Sequence, residues 1–245
     1  MDVPLVQVVV VKVLLLNMIY RHSKTAILLF AQSARVDAIS KSLVDVAVMD
    51  VLNNHVLKTV RNSGLDYYHF TEKEQRGENF GSRFKNSIED VFKLGYTSVI
   101  CIGNDTPLLS VDLIHKAANS LFKGNSVLGK SQDGGLYLIG LNRSQFEAQS
   151  FENLPWQSSQ LSIFFNQYLK NFDGSVTVLK TLQDIDSTTD LYQFLAGKDA
   201  RDLLIGILLN TLSRKRNNHK QSTFYNKQIF LFQPANKGSP DLIAA

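Results

Sequence analysis

The chain of 245 residues holds one cysteine, one tryptophan and five prolines. A single cysteine, Cys101, excludes an internal disulfide framework and fits a reducing, cytoplasmic setting. Cys101 lies inside an apolar run, so it reads as a small buried hydrophobe and not as a nucleophile. An excess of cations is missing from most of the sequence. The net charge is +4, but from Thr211 onward six Lys/Arg (Arg214, Lys215, Arg216, Lys220, Lys227, Lys237) face only Asp241, which leaves the remainder about neutral. The basicity belongs to a tail, which argues against nucleic acid as a partner. An unbroken run of transmembrane length is missing too. Val3–Ile19 comes nearest, but Pro4, Gln7, Lys12 and Asn17 interrupt it, and the basic start and small-residue cleavage site of a signal peptide are lacking. Residues 1–23 read as an apolar leader, either membrane-associated or a non-native upstream extension. Any membrane association would run through that leader alone.

What is present suits one globular α/β domain. Length and a 44% hydrophobic content allow a sizeable core over residues 24–197, followed by a C-terminal helix and basic tail over 198–245. The organising stretch is Tyr96–Asp112. Thr97–Ile102 is a β-branched and apolar run of the kind that forms a buried strand. It breaks at Gly103-Asn104-Asp105, and Pro107 prevents its continuation. Ser110 is placed to cap a helix carrying Leu113, Ile114, Ala117, Ala118 and Leu121, with Gly124 as its stop. Asp105 therefore sits just past a strand's carboxyl end, where open α/β sheets bind ligands. It either caps turn amides or holds a hard cation that carries phosphate oxygens. A second acidic turn, Asp133-Gly134-Gly135, precedes the apolar run Leu136–Leu141 and gives backbone room for a ligand.

Other elements follow in order. Thr25–Ala31 is the first core strand, Asp37–Asn62 a helix in one or two parts, and Asp66–Phe70 a short strand. Thr71–Arg83 is a polar loop, with Ser82 as cap of a helix whose face is Phe84, Ile88, Val91 and Phe92. Ser126–Gly129 is a further strand. Pro155–Ser159 is a loop carrying the only tryptophan, exposed for stacking on a sugar or else a hydrophobic anchor, with Ser159 capping a helix over Leu161–Leu169. Val176–Leu179 is an outer strand, and Asp184–Ser187 opens a helix through Leu195. Leu203–Leu212 gives an amphipathic helix, and Gln228–Phe232 a final strand.

Four motifs in order, GNDTP (103–107), DGGLYLIGL (133–141), PWQSS (155–159) and DIDSTTDL (184–191), resemble the DUF2064 family. That family looks like GT-A-type glycosyltransferases and is related to MobA-like nucleotidyltransferases. The resemblance implies a three-layer α/β/α nucleotide-diphospho-sugar transferase fold, Rossmann-like, with a mostly parallel central sheet. It also implies a divalent metal, Mg²⁺ or Mn²⁺, on Asp105 and Asp133, with Asp186 as a third ligand. Asp105 and Asp133 are then the catalytic pair, Asp133 serving as general base. Gln75, Gly77, Gly81 and Arg83 would meet base, ribose or phosphate, and Asn104, Pro107, Gly134, Gly135, Tyr137, Trp156 and Ser158 would complete the substrate pocket. The partners expected are a nucleotide-sugar or nucleotide donor and a small-molecule acceptor. One departure stands out. Where the family has a loop with Pro-Gly and a Lys-Thr-Arg run after the first strand, this chain has Gln32–Ala38 with no glycine. That keeps two further readings open, a nucleotidyltransferase and a catalytically weak nucleotide-binding protein.

Overall fold

The computed structural model describes residues 25–40, 46–197 and 200. The leader, the helix over 203–212, the strand over 228–232, and Leu43 and Val44 lie outside the described residues. Among the described residues six strands form: β1 (Thr25–Phe30), β2 (Asp66–Phe70), β3 (Ser98–Ile102), β4 (Ser126–Lys130), β5 (Leu136–Asn142) and β6 (Val176–Val178). They form one sheet in the order β2-β1-β3-β5-β4-β6. Around it lie α1 (Ala34–Ser40), α2 (Val46–Asn62), α3 (Phe80–Lys93), α4 (Val111–Phe122), α5 (Ala148–Glu152), α6 (Leu161–Leu169) and α7 (Thr188–Leu195).

After their first residues, Thr25 and Ser98, β1 and β3 are apolar because both of their faces are covered. Ile27, Leu29, Ile100 and Ile102 pack under α2 and α4, through Val56, Val60, Ile114 and Ala117. The alternate residues Ala26, Leu28, Val99 and Cys101 pack against α3, α5 and α6, through Phe84, Ile88, Phe151 and Phe165. Three layers result. A third cluster joins α1, the start of α2 and α7 through Ala38, Met49, Leu52, Leu191 and Phe194. Cys101 is buried, and burial pushes its thiol well above the ordinary range, so it behaves as core.

The pairings β1–β2, β1–β3 and β4–β6 are parallel, while β5 runs antiparallel to both β3 and β4. The sheet is thus mostly parallel with one reversed strand. That reversal positions the site. The β4–β5 connection is a tight turn at residues 131–135, held by Ser131 N–H to Gly135 O at 3.0 Å. It puts Asp133 at the same sheet end as the loop after β3.

Helix starts differ in places from the expected ones. Ser110 caps α4 as expected, accepting from Leu113 N–H. Asn79, not Ser82, caps α3, and Ser82 completes a capping box from inside the helix. The polar loop therefore ends at Asn79, and Gly81 is buried within α3, where an added Cβ would lie 2.3 Å from Glu152 O. Ser159 does not cap α6, whose first position is preceded by Gln160 with no side-chain cap. α7 begins after Ser187, which accepts from Asp190 N–H at 3.2 Å, so Asp186 lies on a loop and not at a helix start.

Candidate active site

The loops at the carboxyl ends of β1–β4 and β6 surround a cleft of about 650 Å³. Backbone hydrogen bonds stitch four of the surrounding segments together. Ile185 N–H donates to Asp105 O at 2.8 Å, Gln132 N–H to Leu182 O at 3.0 Å, and Ser162 N–H to Gly134 O at 3.1 Å. Ile185 is fully buried, and its neighbours at i−1 and i+1 project the other way from this extended segment. Asp184 and Asp186 thereby meet Asp133. Carboxylate oxygens of Asp133, Asp184 and Asp186 lie within 4.8 Å of one another. Asp105 lines the same cleft outside that trio, and its charge reaches Asp184.

Asp184 was absent from the residues expected from sequence. The signal for it was there: two acids flanking one apolar residue put both carboxylates on one side of an extended stretch. Asp184 is half-buried. Burial is the largest cause that pushes its carboxyl up to about 7, followed by the charges of Asp105, Asp133 and Asp186, while the Ser131 hydroxyl opposes the rise. Ser131 Oγ faces Asp184, yet Ser131 Oγ and Asp184 Oδ1 are both buried and neither closes a well-formed hydrogen bond. Asp133 is exposed, and its Oδ1 accepts from Gly135 N–H at 2.9 Å.

The remaining expected residues separate into two groups. Gln75, Arg83, Asn104, Gly135, Tyr137, Trp156 and Ser158 line the cleft, whereas Gly77, Gly81, Pro107 and Gly134 do not. Gly77 is occupied with chain packing, since an added Cβ would lie 2.5 Å from Ser82 Oγ. Pro107 is buried. Gly134 has φ 95°, and a Cβ there would fall 2.0 Å from Ser159 O, so only glycine lets the acidic turn touch the 155–159 loop.

Several lining residues are also held by the fold. Gln75 Nε2 donates to Phe70 O at 3.0 Å, and Ser158 Oγ to Pro155 O at 2.8 Å. The Tyr137 hydroxyl donates to Lys180 O at 3.0 Å, and burial pushes that phenol up to about 12. Trp156 is an anchor in place of an exposed platform. Its Nε1 donates to Phe151 O at 3.0 Å, and its ring packs among Phe80, Phe84, Phe151 and Phe165. Next to it Gln157 adopts φ 62°, a left-handed conformation costly for a residue with a side chain.

The first loop is closed by the chain itself. Glu72 accepts from both Ser33 N–H and Ser33 Oγ, each at 2.8 Å, and those bonds hold its carboxyl below the usual range. Asn104 is buried and its Nδ2 donates to Asp37 and Asn53, tying the turn after β3 to α1 and α2. Among the described residues five aspartates (37, 105, 133, 184 and 186) line the cleft against a single cation, Arg83, which engages no carboxylate among them.

Comparison with known proteins supports the resemblance read from the motifs. Residues 40–158 match the DUF2064 family, described as an uncharacterized protein conserved in bacteria. A protein of Desulfovibrio desulfuricans G20, provisionally described as a nucleotide-diphospho-sugar transferase, superimposes with a TM-score of 0.62 at 21% identity, covering 77% of this chain and 98% of its own. That likeness establishes the fold. The manganese complex of Rv0371c from Mycobacterium tuberculosis H37Rv matches at a TM-score of 0.44 and 12% identity, over 71% of this chain and 98% of that one. The 4-diphosphocytidyl-2C-methyl-D-erythritol synthase of Anaerococcus prevotii DSM 20548 matches at 0.41 and 13%, over 72% and 96%. At that level the latter two carry no argument about this chain. No curated protein matches it. Among the described residues no helix is long and apolar enough to cross a membrane.

Proposed function

From the premise that residues 40–158 belong to the DUF2064 family, we propose that this protein is a metal-dependent transferase. Its donor is a nucleotide-diphosphate sugar, and the glycosyl group passes to a hydroxyl of a small-molecule acceptor. The charge of the cleft carries this reading. Among the described residues five aspartates and one arginine line the cleft, and the crowded carboxylates of Asp133, Asp184 and Asp186 would repel a diphosphate unless a hard divalent cation stood between them. The residues present fit such an ion. Asp133, Asp184 and Asp186 offer an all-oxygen donor set suited to Mg²⁺ or Mn²⁺, and the buried Asp184 Oδ1 has no other partner. When bound, the cation would offset negative charge developing on the leaving diphosphate.

The chain's own groups supply the rest. Arg83, from the opposite rim, meets phosphate oxygens as the one cation lining the cleft among the described residues. Gln75 keeps its carboxamide oxygen for a base or ribose, because its Nε2 is spent on Phe70 O. The Gly135 amide fixes the Asp133 carboxylate at the exposed side of the trio, where an acceptor hydroxyl can approach and hand over its proton. Asp105 adds charge beside the trio and, through its carbonyl, holds the segment bearing Asp184 and Asp186.

The test is a thermal-shift and calorimetric screen of UDP-, GDP-, ADP-, CDP- and dTDP-sugars and the matching triphosphates, with Mn²⁺ or with EDTA, on wild type and Asp184→Asn. Stabilisation by one nucleotide-sugar only when metal is present, lost in Asp184→Asn, is the expected result. Preference for a triphosphate would instead favour a nucleotidyltransferase. A folded protein silent across the panel, or equal binding in EDTA, would overturn the reading.

A further inference from the structure

A second concavity lies away from the active-site cleft. It is an open groove of about 570 Å³ between one side of α4 and β6 with the residues that follow it. Its floor includes Leu113, Thr177 and Leu179, and Ser120 and Thr177 join α4 to β6 through their hydroxyls at 2.5 Å. Lys116, Lys123 and Lys180 line it, all three exposed. None of them makes an ion pair among the described residues, and Asp112 is the one acid on the lining.

We propose that this groove docks an extended acidic segment of a partner protein, laid along α4 and paired with the outer edge of β6. Three observations select that occupant. Lys116 on α4 and Lys123 at its C-cap are seven positions apart, about 10 Å along the axis, so the positive charge is spread along a line and does not converge on one phosphate. β6 ends the sheet, and its outer edge pairs with no strand among the described residues. Leu179 N–H points inward to Leu128 O, so by strand alternation the Val178 N–H points outward, and Val178 is 53% exposed. An open edge of this kind is met by another polypeptide backbone, which a polyphosphate or a nucleic acid cannot supply.

The experiment titrates the full chain into a fluorescein-labelled eight-residue peptide of alternating Glu and Val at low salt, read by anisotropy. A Lys-Val peptide, inorganic polyphosphate and a thymidine oligonucleotide serve as comparison probes. Binding of the Glu-Val peptide alone among the peptides is expected. It should weaken at least about tenfold in Lys116→Glu/Lys123→Glu/Lys180→Glu, and several-fold in Val178→Pro, which removes the outward N–H. Both variants should keep the wild-type melting temperature to within a few degrees, which shows that the fold persists. Absence of peptide binding by the full chain would overturn the proposal. So would binding indifferent to the three lysines. Tighter binding of polyphosphate or the oligonucleotide, with Val178→Pro without effect, would replace the partner protein by a plain polyanion.

Discussion

The two rims of the cleft are built from the same polar residue types, yet they are finished to different degrees. On the rim formed by the first loop, donors and acceptors are matched within the chain. Ser33 gives both its N–H and its hydroxyl to Glu72, and Asn104 bridges Asp37 and Asn53. On the rim formed by Asp133, Asp184 and Asp186, buried oxygens of Asp184 and Ser131 face each other without closing a well-formed hydrogen bond, and like charges crowd together. Burying an unsatisfied polar atom costs about 1–3 kcal/mol, so a fold keeps it only where something else compensates. One rim is therefore structural, and the other is the one that the cation of the proposed function would complete.

The comparison breaks most sharply at Asp184. Asp184→Ala should lower divalent-metal affinity by about 10²-fold or more, measured calorimetrically with Mn²⁺, because it removes the least exposed oxygen donor of the trio. The same variant should be at least as stable as wild type in EDTA, since crowded charge is relieved. On the opposite rim the pattern inverts. Asn104→Ala should cost about 2 kcal/mol in urea denaturation, by removing the buried amide that bridges Asp37 and Asn53, while the Mn²⁺ response persists.

A pH series sharpens the contrast. The folded chain holds the Asp184 proton up to about 7, whereas the unfolded chain releases it near the ordinary aspartate value of 3.8. Between those values the unfolded state binds fewer protons, so metal-free stability should fall as pH rises from about 4 to about 7 and level off above. After solvent screening the loss should be on the order of 1–2 kcal/mol. Asp184→Asn should flatten that slope, and Mn²⁺ should oppose it near neutrality. The smallest effect is expected at the Ser33–Glu72 contact. Glu72→Gln should cost about 0.5–1 kcal/mol by weakening a charge-assisted pair of hydrogen bonds, with no change in metal affinity.

Much of the fold was legible in the sequence because it rests on local signals. The apolar runs of β1 and β3, the Ser110 cap and the Gly124 stop each follow from a few neighbouring residues. The reversed direction of β5 was written less openly. An apolar run such as Leu136–Leu141 looks the same in either direction, and only the shortness of the 131–135 turn, too short for a crossover, gives it away. Caps at Ser82 and Ser159 were misplaced by a few residues because Asn79 and the contact at Gly134 decide those starts. The acidic turns could be placed at the sheet end from sequence. Which carboxylates meet could not, because Asp133 and Asp184 are about fifty positions apart and are brought together by backbone bonds between loops. Trp156 was ambiguous for a related reason: its aromatic neighbours come from α3, α5 and α6.

The stitching of those loops has a consequence for how the protein tolerates changes of length. The 103–110, 131–135, 155–159 and 179–187 segments hold one another through carbonyl and amide contacts, with Gly134 pressed against Ser159. A residue added to any one of them must either be matched in its neighbour or tear the seam. The 71–79 loop is joined to its surroundings mainly by side chains. Peptide tags, inserted reporters or permuted termini that must spare the acidic rim therefore belong there.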